Sequence, residues 1–187
     1  MPHAFALTAI EGQKLLAQDG ADFDYFGSSV SIDGNLAVIG ANQNCNAGDG
    51  GKAYIYHRDS DGNWQYEATL IPNTQDSSIC FGQSVAISGQ TAVVGAPYET
   101  TLRYQDGAAY VFVRNEQNDW VPQGKLLGFE SGQGQQLGSS VAIQGNTIVV
   151  GAPRYLLGGA TYGAAFSCRL SETLRLEQEV EKAVWLS

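Results

Sequence analysis

The sequence contains no apolar stretch approaching the roughly 18 to 20 residues that a membrane-crossing helix needs, so no membrane span is expected. Basic residues are scarce. Ten Lys and Arg stand against nineteen Asp and Glu, a formal charge of −9, and no window gathers the cations into a cluster. Binding a phosphate backbone requires such a cluster, which argues against nucleic acid as a partner. The start, Met1-Pro2-His3-Ala4-Phe5-Ala6-Leu7, lacks the cationic and apolar regions of a secretory signal. Only three cysteines are present, Cys45, Cys80 and Cys168, an odd number at no zinc-like spacing, so at most one disulfide can form. The two histidines offer little for nucleophilic catalysis: His3 lies near the terminus, and His57 ends an expected strand, where a solvated side chain is the simplest reading. Gly48-Asp49-Gly50-Gly51 lacks the Lys-Ser/Thr that would make it a phosphate cradle, and nothing supplies a pocket for the Asp22 and Asp24 pair. No catalytic residue is therefore assigned, and the chain is expected not to be an enzyme.

What is present is a repeat. Phe26-Gly27-Ser28-Ser29-Val30-Ser31-Ile32-Asp33-Gly34-Asn35 returns as Phe81-Gly82-Gln83-Ser84-Val85-Ala86-Ile87-Ser88-Gly89-Gln90, and again as Leu137-Gly138-Ser139-Ser140-Val141-Ala142-Ile143-Gln144-Gly145-Asn146. The leading glycines are 55 and 56 residues apart, and Gly51, Gly107 and Gly163, like Trp64 and Trp120, keep the same step. Short alternating apolar runs between Gly, Asn and Asp predict four strands per unit. In the first unit these are a at 28–33, b at 36–41, c at 52–58 and d at 64–71; in the second, 83–88, 91–96, 108–114 and 120–127. With 43% hydrophobic and 16% charged residues, the 187-residue chain suits one globular domain built of antiparallel meanders that bury their faces by stacking on one another.

The Phe-Gly start, the Gly95-Ala96-Pro97 and Gly151-Ala152-Pro153 ends of strand b, the Gly107-Ala108-Ala109-Tyr110-Val111-Phe112 strand and the Trp-containing last strand resemble the FG-GAP repeat, the blade of the integrin α-subunit head. The resemblance implies an all-β fold of three four-stranded β-propeller blades at approximately 14–68, 69–124 and 125–170, followed by a tail at 171–187. Three blades are too few for a closed ring of about four to eight. An open arc, a fragment of a larger surface protein or half of a symmetric assembly is therefore expected, with self-association or further blades as the cover for its ends. Gln13-Lys14-Leu15-Leu16 matches the end of a strand d. In the tail, Leu176, Val180, Ala183 and Val184 form a helical stripe, although Leu174, Leu176 and Val180 are also evenly spaced; a short helix is the reading adopted.

Many such blades carry a calcium loop of the Asp-x-Asp-x-Asp-Gly type between the Phe-Gly and Gly-Ala-Pro elements, and here that loop is missing, which points to the calcium-free variety with no cofactor. Asp59-Ser60-Asp61-Gly62-Asn63 is read as a hairpin turn, because an EF-hand register would need Gly and Glu where Trp64 and Leu70 stand. Family resemblance implies an extracellular or cell-surface binding module that engages a protein, or a glycan in a lectin-like alternative. Its d–a and b–c loops share one face and are longer than the hairpins opposite. Tyr98, Arg103, Tyr104, Arg154, Tyr155 and Tyr162 are the candidate ligand residues on that face, since Tyr and Arg are favoured anchors. Cys45 and Cys80 fall in neighbouring loops of the same face, close enough for a disulfide if the chain is exported, with free thiols as the alternative.

Overall fold

The computed structural model describes residues 12–42, 50–74, 78–128, 133–157 and 160–171. Among these residues there are thirteen strands and no helix. The first sheet orders β1 (Phe26–Asp33), β2 (Leu36–Ala41), β3 (Lys52–Arg58) and β4 (Trp64–Leu70) as an antiparallel meander. The second repeats it with β5 (Ser84–Ser88), β6 (Thr91–Ala96), β7 (Ala108–Arg114) and β8 (Trp120–Leu127). The inner hairpins close on two-residue turns. Gly34, Gly89 and Gly145 occupy the same turn position with φ of 57°, 55° and 55°, a conformation that glycine adopts without a Cβ penalty.

The third unit departs from the pattern. Its sheet has three strands, with β10 (Thr147–Ala152) between β9 (Ser140–Gln144) and β13 (Ala164–Arg169). A separate hairpin, β11 (Leu156–Leu157) with β12 (Ala160–Thr161), rises from the connection that joins b to c in the other units. β13 forms the outer edge among the described residues. The segment expected to form a C-terminal helix, 172–187, lies outside them.

The sheets stack in sequence order, and the apolar core lies between them. Val38, Ala53, Ile55 and Leu70 of the first blade pack on Phe81, Val85, Ile87, Tyr110 and Phe112 of the second. Val93, Ala109 and Val111 of the second blade then pack on Leu137, Ile148, Val150 and Tyr155 of the third. Each blade thus has a leading face, turned toward the blade before it, and a trailing face turned toward the blade after. Two polar links recur at each junction. Ser29 Oγ donates to the Gly82 carbonyl (2.8 Å) and Ser84 Oγ to the Gly138 carbonyl (2.7 Å). The amides of Phe81 and Leu137 donate to Gly50 and Asp106 of the preceding blade, at 2.9 and 3.0 Å. A Cβ on Gly40 or Gly95 would overlap the docked carbonyl of Gly82 or Gly138, which explains glycine at these two strand positions.

A short segment covers part of the leading face of the first blade. Leu15 and Ala17 pack against Ile39, Tyr54 and Tyr56, and the Gln13 amide exchanges hydrogen bonds with the Trp64 backbone at 2.9 and 2.7 Å. At the next junction a strand-d side chain likewise reaches the tryptophan of the following blade: Glu67 accepts from the Trp120 indole at 2.7 Å. Segment 13–17 therefore occupies the place a strand d takes on the following blade, as the sequence match anticipates.

Candidate ligand-binding face

The d–a and b–c connections lie on one side of the arc and are tied to each other through the backbone. Tyr98 N donates to Ile79 O (3.3 Å), Gly134 N to Tyr104 O (2.9 Å), Gln136 N to Gln105 O (3.4 Å) and Arg154 N to Gln135 O (3.2 Å). Loops from the second and third units thus form one surface. Tyr25, Cys80 and Gln136, each just before the Phe-Gly or Leu-Gly pair, adopt φ of 52°, 53° and 58°. Phe23 and Gln105 on the same side are also left-handed, so non-glycine backbone strain concentrates on this face.

The loop at 98–106 is held at both ends by carboxylates. Asp106, itself buried, accepts from the amides of Thr101, Leu102 and Arg103 at 2.9, 3.1 and 3.0 Å, and from the Thr101 hydroxyl at 2.9 Å. Glu99, only 1% exposed, accepts from the Tyr110 hydroxyl at 2.8 Å and from Lys125 Nζ at 2.6 Å, with the ammonium 4.7 Å from the Tyr110 ring centre. The equivalent tyrosine of the first blade uses a different carboxylate for the same purpose: Tyr54 donates to Asp19 at 2.7 Å beside Lys52. Hydrogen bonding from Lys52 and Tyr54 holds the Asp19 carboxyl below the usual range, while burial and then that bond push the Tyr54 phenol up.

This clamp gives a pH prediction. Because the Asp19 carboxyl titrates lower in the folded protein, its contribution is fully present above the ordinary value of about 3.9 and is lost as pH falls through the lower folded value. The Trp64 amide, bonded to Gln13, should keep its hydrogen-exchange protection from neutral pH to about pH 4 and lose it below. In Asp19→Asn that protection should already be weakened at neutral pH; equal protection in the variant would refute the clamp.

Of the sequence candidates, Tyr104 and Tyr162 are strongly exposed and Arg103 and Arg154 are exposed. Tyr98 is half-buried. Tyr155 is a core residue at 4% exposure, its ring 5.7 Å from Phe166, so it supports the loop from beneath and cannot contact a ligand. The structure brings 98–106 against 133–136 and the latter against Arg154. Cys80 is fully buried and disulfide-bonded, and Cys168 is free; Cys45 lies outside the described residues. Sequence reasoning missed Phe23, Tyr25 and Leu102, all exposed on this side. It also missed the carboxylates Glu99 and Asp106. A buried tyrosine in strand c needs a hydroxyl partner, and that was the available signal for Glu99.

The opposite side has a different character. Glu67 sits among His57 Nδ1 (3.2 Å), Arg114 Nε (2.9 Å) and Trp120 Nε1 (2.7 Å), so the half-exposed His57 ring stands beside a carboxylate. An open groove of about 500 Å³ lies beside this cluster, lined by the Asp33–Leu36 and Gly89–Gln90 turns with Arg58 and Arg114. Asp59 caps its own hairpin, accepting from the amides of Asp61 (3.0 Å) and Asn63 (2.8 Å) and from Gln65 Nε2 (3.0 Å). The neutral Asn115 caps the next blade's hairpin in the same way, so the turn does not depend on charge. Among the described residues no three His, Cys, Asp or Glu side chains gather as a metal site.

A family model for the FG-GAP repeat matches residues 10–56, 64–112 and 120–166, about three quarters of the chain. The chain belongs to the FG-GAP repeat family. The second and third matched FG-GAP units begin at a strand d and run into the following a, b and c strands, the order in which segment 13–17 precedes the first blade. FG-GAP repeats build β-propeller-like protein-interaction modules. No curated protein matches the chain in sequence.

Proposed function

We propose that this FG-GAP arc is a non-enzymatic, integrin-like adhesion module that binds a protein partner through its d–a and b–c loop face, outside the cell and without calcium. One observation carries the reading: the exposed large apolar side chains of the loops, Phe23, Tyr25, Leu102, Tyr104, Leu156 and Tyr162, all stand on that face. None stands on the hairpin turns opposite, among the described residues. Rigid loops that display aromatic groups above a backbone-bonded platform reduce the ordering cost of association. The disulfide-bonded state of Cys80 supports an oxidising compartment. The commitment of Asp59 to its own turn supports calcium independence.

Labelled protein applied to intact and protease-treated cells, alongside a glycan array, tests this. Binding should disappear after protease treatment, persist in EDTA, and fall about tenfold or more in Leu102→Ala/Tyr104→Ala. A glycan-array signal that the same double variant removes would assign the face to sugars instead. Binding unaffected by the double variant would displace the site from this face.

A further inference from the structure

The two ends of the arc are complementary to each other, because they are the two halves of the junction that the chain already makes twice internally. On the leading face of the first blade Val30 and Ile32 are 69% and 63% exposed, whereas their equivalents Val85 and Ile87 are 7% and 5% exposed under the first blade's trailing face. On the trailing face of the third blade Val149 is 40% exposed, while its equivalents Val38 and Val93 are fully buried against the next blade. The polar fittings are present at these ends as well. Gly40 and Gly95 each receive a neighbour's carbonyl beside a serine hydroxyl; Gly151 has the same serine, Ser140, and no such carbonyl among the described residues. Gly51 and Gly107 lie against Phe81 and Leu137 of the next blade, but among the described residues the atoms nearest a Cβ on Gly163 are those of Pro153 of its own blade.

We propose that a second copy of this chain covers these ends, the third blade of each copy docking on the first blade of the other. By repeat equivalence Val149 packs on Val30 and Ile32, and Ser140 Oγ donates to the Gly27 carbonyl of the second copy, as Ser29 and Ser84 do to Gly82 and Gly138. The amide of Phe26 meets the carbonyl of Tyr162, as those of Phe81 and Leu137 meet Gly50 and Asp106. Segment 13–17, already seated on the first blade in the place of a strand d, arrives beside the outer edge of β13. The register follows from Leu70 opposite Ala53 and Leu126 opposite Ala109: Leu15, which the strand-d match sets on Leu126, falls opposite Ala165. Stoichiometry follows from the blade number. Two three-bladed arcs give six blades, within the range of about four to eight that closes a ring, whereas three arcs exceed it. Both junctions of the pair are related by a two-fold axis, so the assembly closes rather than growing into a filament.

Sedimentation of the full chain across concentrations should show a monomer–dimer equilibrium with no larger species. Val30→Asp and Val149→Arg each place a charge in the junction and should weaken the dimer at least about a hundredfold. Mixing the two variants restores it, since one junction becomes wild type and the other pairs Asp with Arg. Gly151→Ala should have the same weakening effect, although within its own copy it overlaps only the rotatable Ser140 side chain. Should a charged variant fail to fold by circular dichroism, Val30→Cys/Val149→Cys in a Cys168→Ser background must give a dimer on oxidation. A monomer at every concentration, a dimer indifferent to all these changes, or an open series of oligomers would overturn the proposal. So would a monomer that dimerises only when residues 172–187 are deleted, which would assign the faces to the chain's own tail.

Discussion

Gly95→Ala should lower the unfolding free energy by about 3 kcal/mol, and Gly151→Ala by less than about 1 kcal/mol. The two glycines hold the same place in β6 and β10, beside Ser84 and Ser140. At Gly95 an added methyl group would overlap the backbone carbonyl of Gly138 as well as the Ser84 hydroxyl. Backbone cannot rotate away, so relief requires the second and third blades to separate. That separation breaks the Ser84 bond to Gly138 and opens the apolar seam of Val93, Val111, Leu137 and Ile148. At Gly151 the only overlap is with Ser140 Oγ, and a change of rotamer removes it. Urea unfolding of the two variants at the same dilute protein concentration, where association is absent, provides the comparison. Equal midpoints would mean that carbonyl docking between blades contributes nothing to stability.

The parts of the fold that depend on local pattern were legible in the sequence. β2, β3, β6, β7 and β8 begin and end where alternation and turn residues place them, because side-chain period and turn chemistry act over a few residues. β1 starts two residues earlier because Phe26 pairs with Ala41 across a bulge, and β4 ends one residue earlier, at Leu70. The β11–β12 hairpin escaped notice because two-residue strands carry no periodic signal. Left-handed φ at Tyr25, Cys80 and Gln136 was equally hidden, since three unlike residues share it ahead of the same glycine turn. The candidate loops were legible as a face and not as a constellation. Loop length and composition pointed to Arg103, Tyr104 and Tyr162, whereas Tyr155 looks the same in sequence and is placed in the core by Phe166. The carboxylate anchors depend on partners far apart in the chain: Asp19 with Tyr54, and Glu67 with Trp120 one repeat away. Spacing does not encode such pairings until the blades are stacked.

Glu99→Ala should cost about 3 kcal/mol of stability and loosen the loop that presents Arg103 and Tyr104. The carboxylate is buried between the Tyr110 hydroxyl, bonded at 2.8 Å to each oxygen, and Lys125 Nζ, bonded at 2.6 Å. Removing it strands a core tyrosine hydroxyl and leaves an ammonium over the Tyr110 ring without its counter-charge, so the desolvation cost of both groups is no longer offset. Glu99→Gln keeps an acceptor for Tyr110 and loses only the charge, and should cost about half as much. Adding Lys125→Met to Glu99→Ala removes the stranded cation and should recover part of the loss, a non-additivity that a simple loss of packing would not show. The loop effect follows from the backbone: Gly107 N donates to Glu99 O at 3.0 Å and Glu99 N to Ala96 O at 3.2 Å, closing the segment that Asp106 then caps. Hydrogen exchange at Thr101, Leu102 and Arg103 should therefore accelerate in Glu99→Ala more than at β2 or β3 of the first blade. Uniform acceleration across all three blades would show that Glu99 serves the core alone and that the loop is held by Asp106 without it.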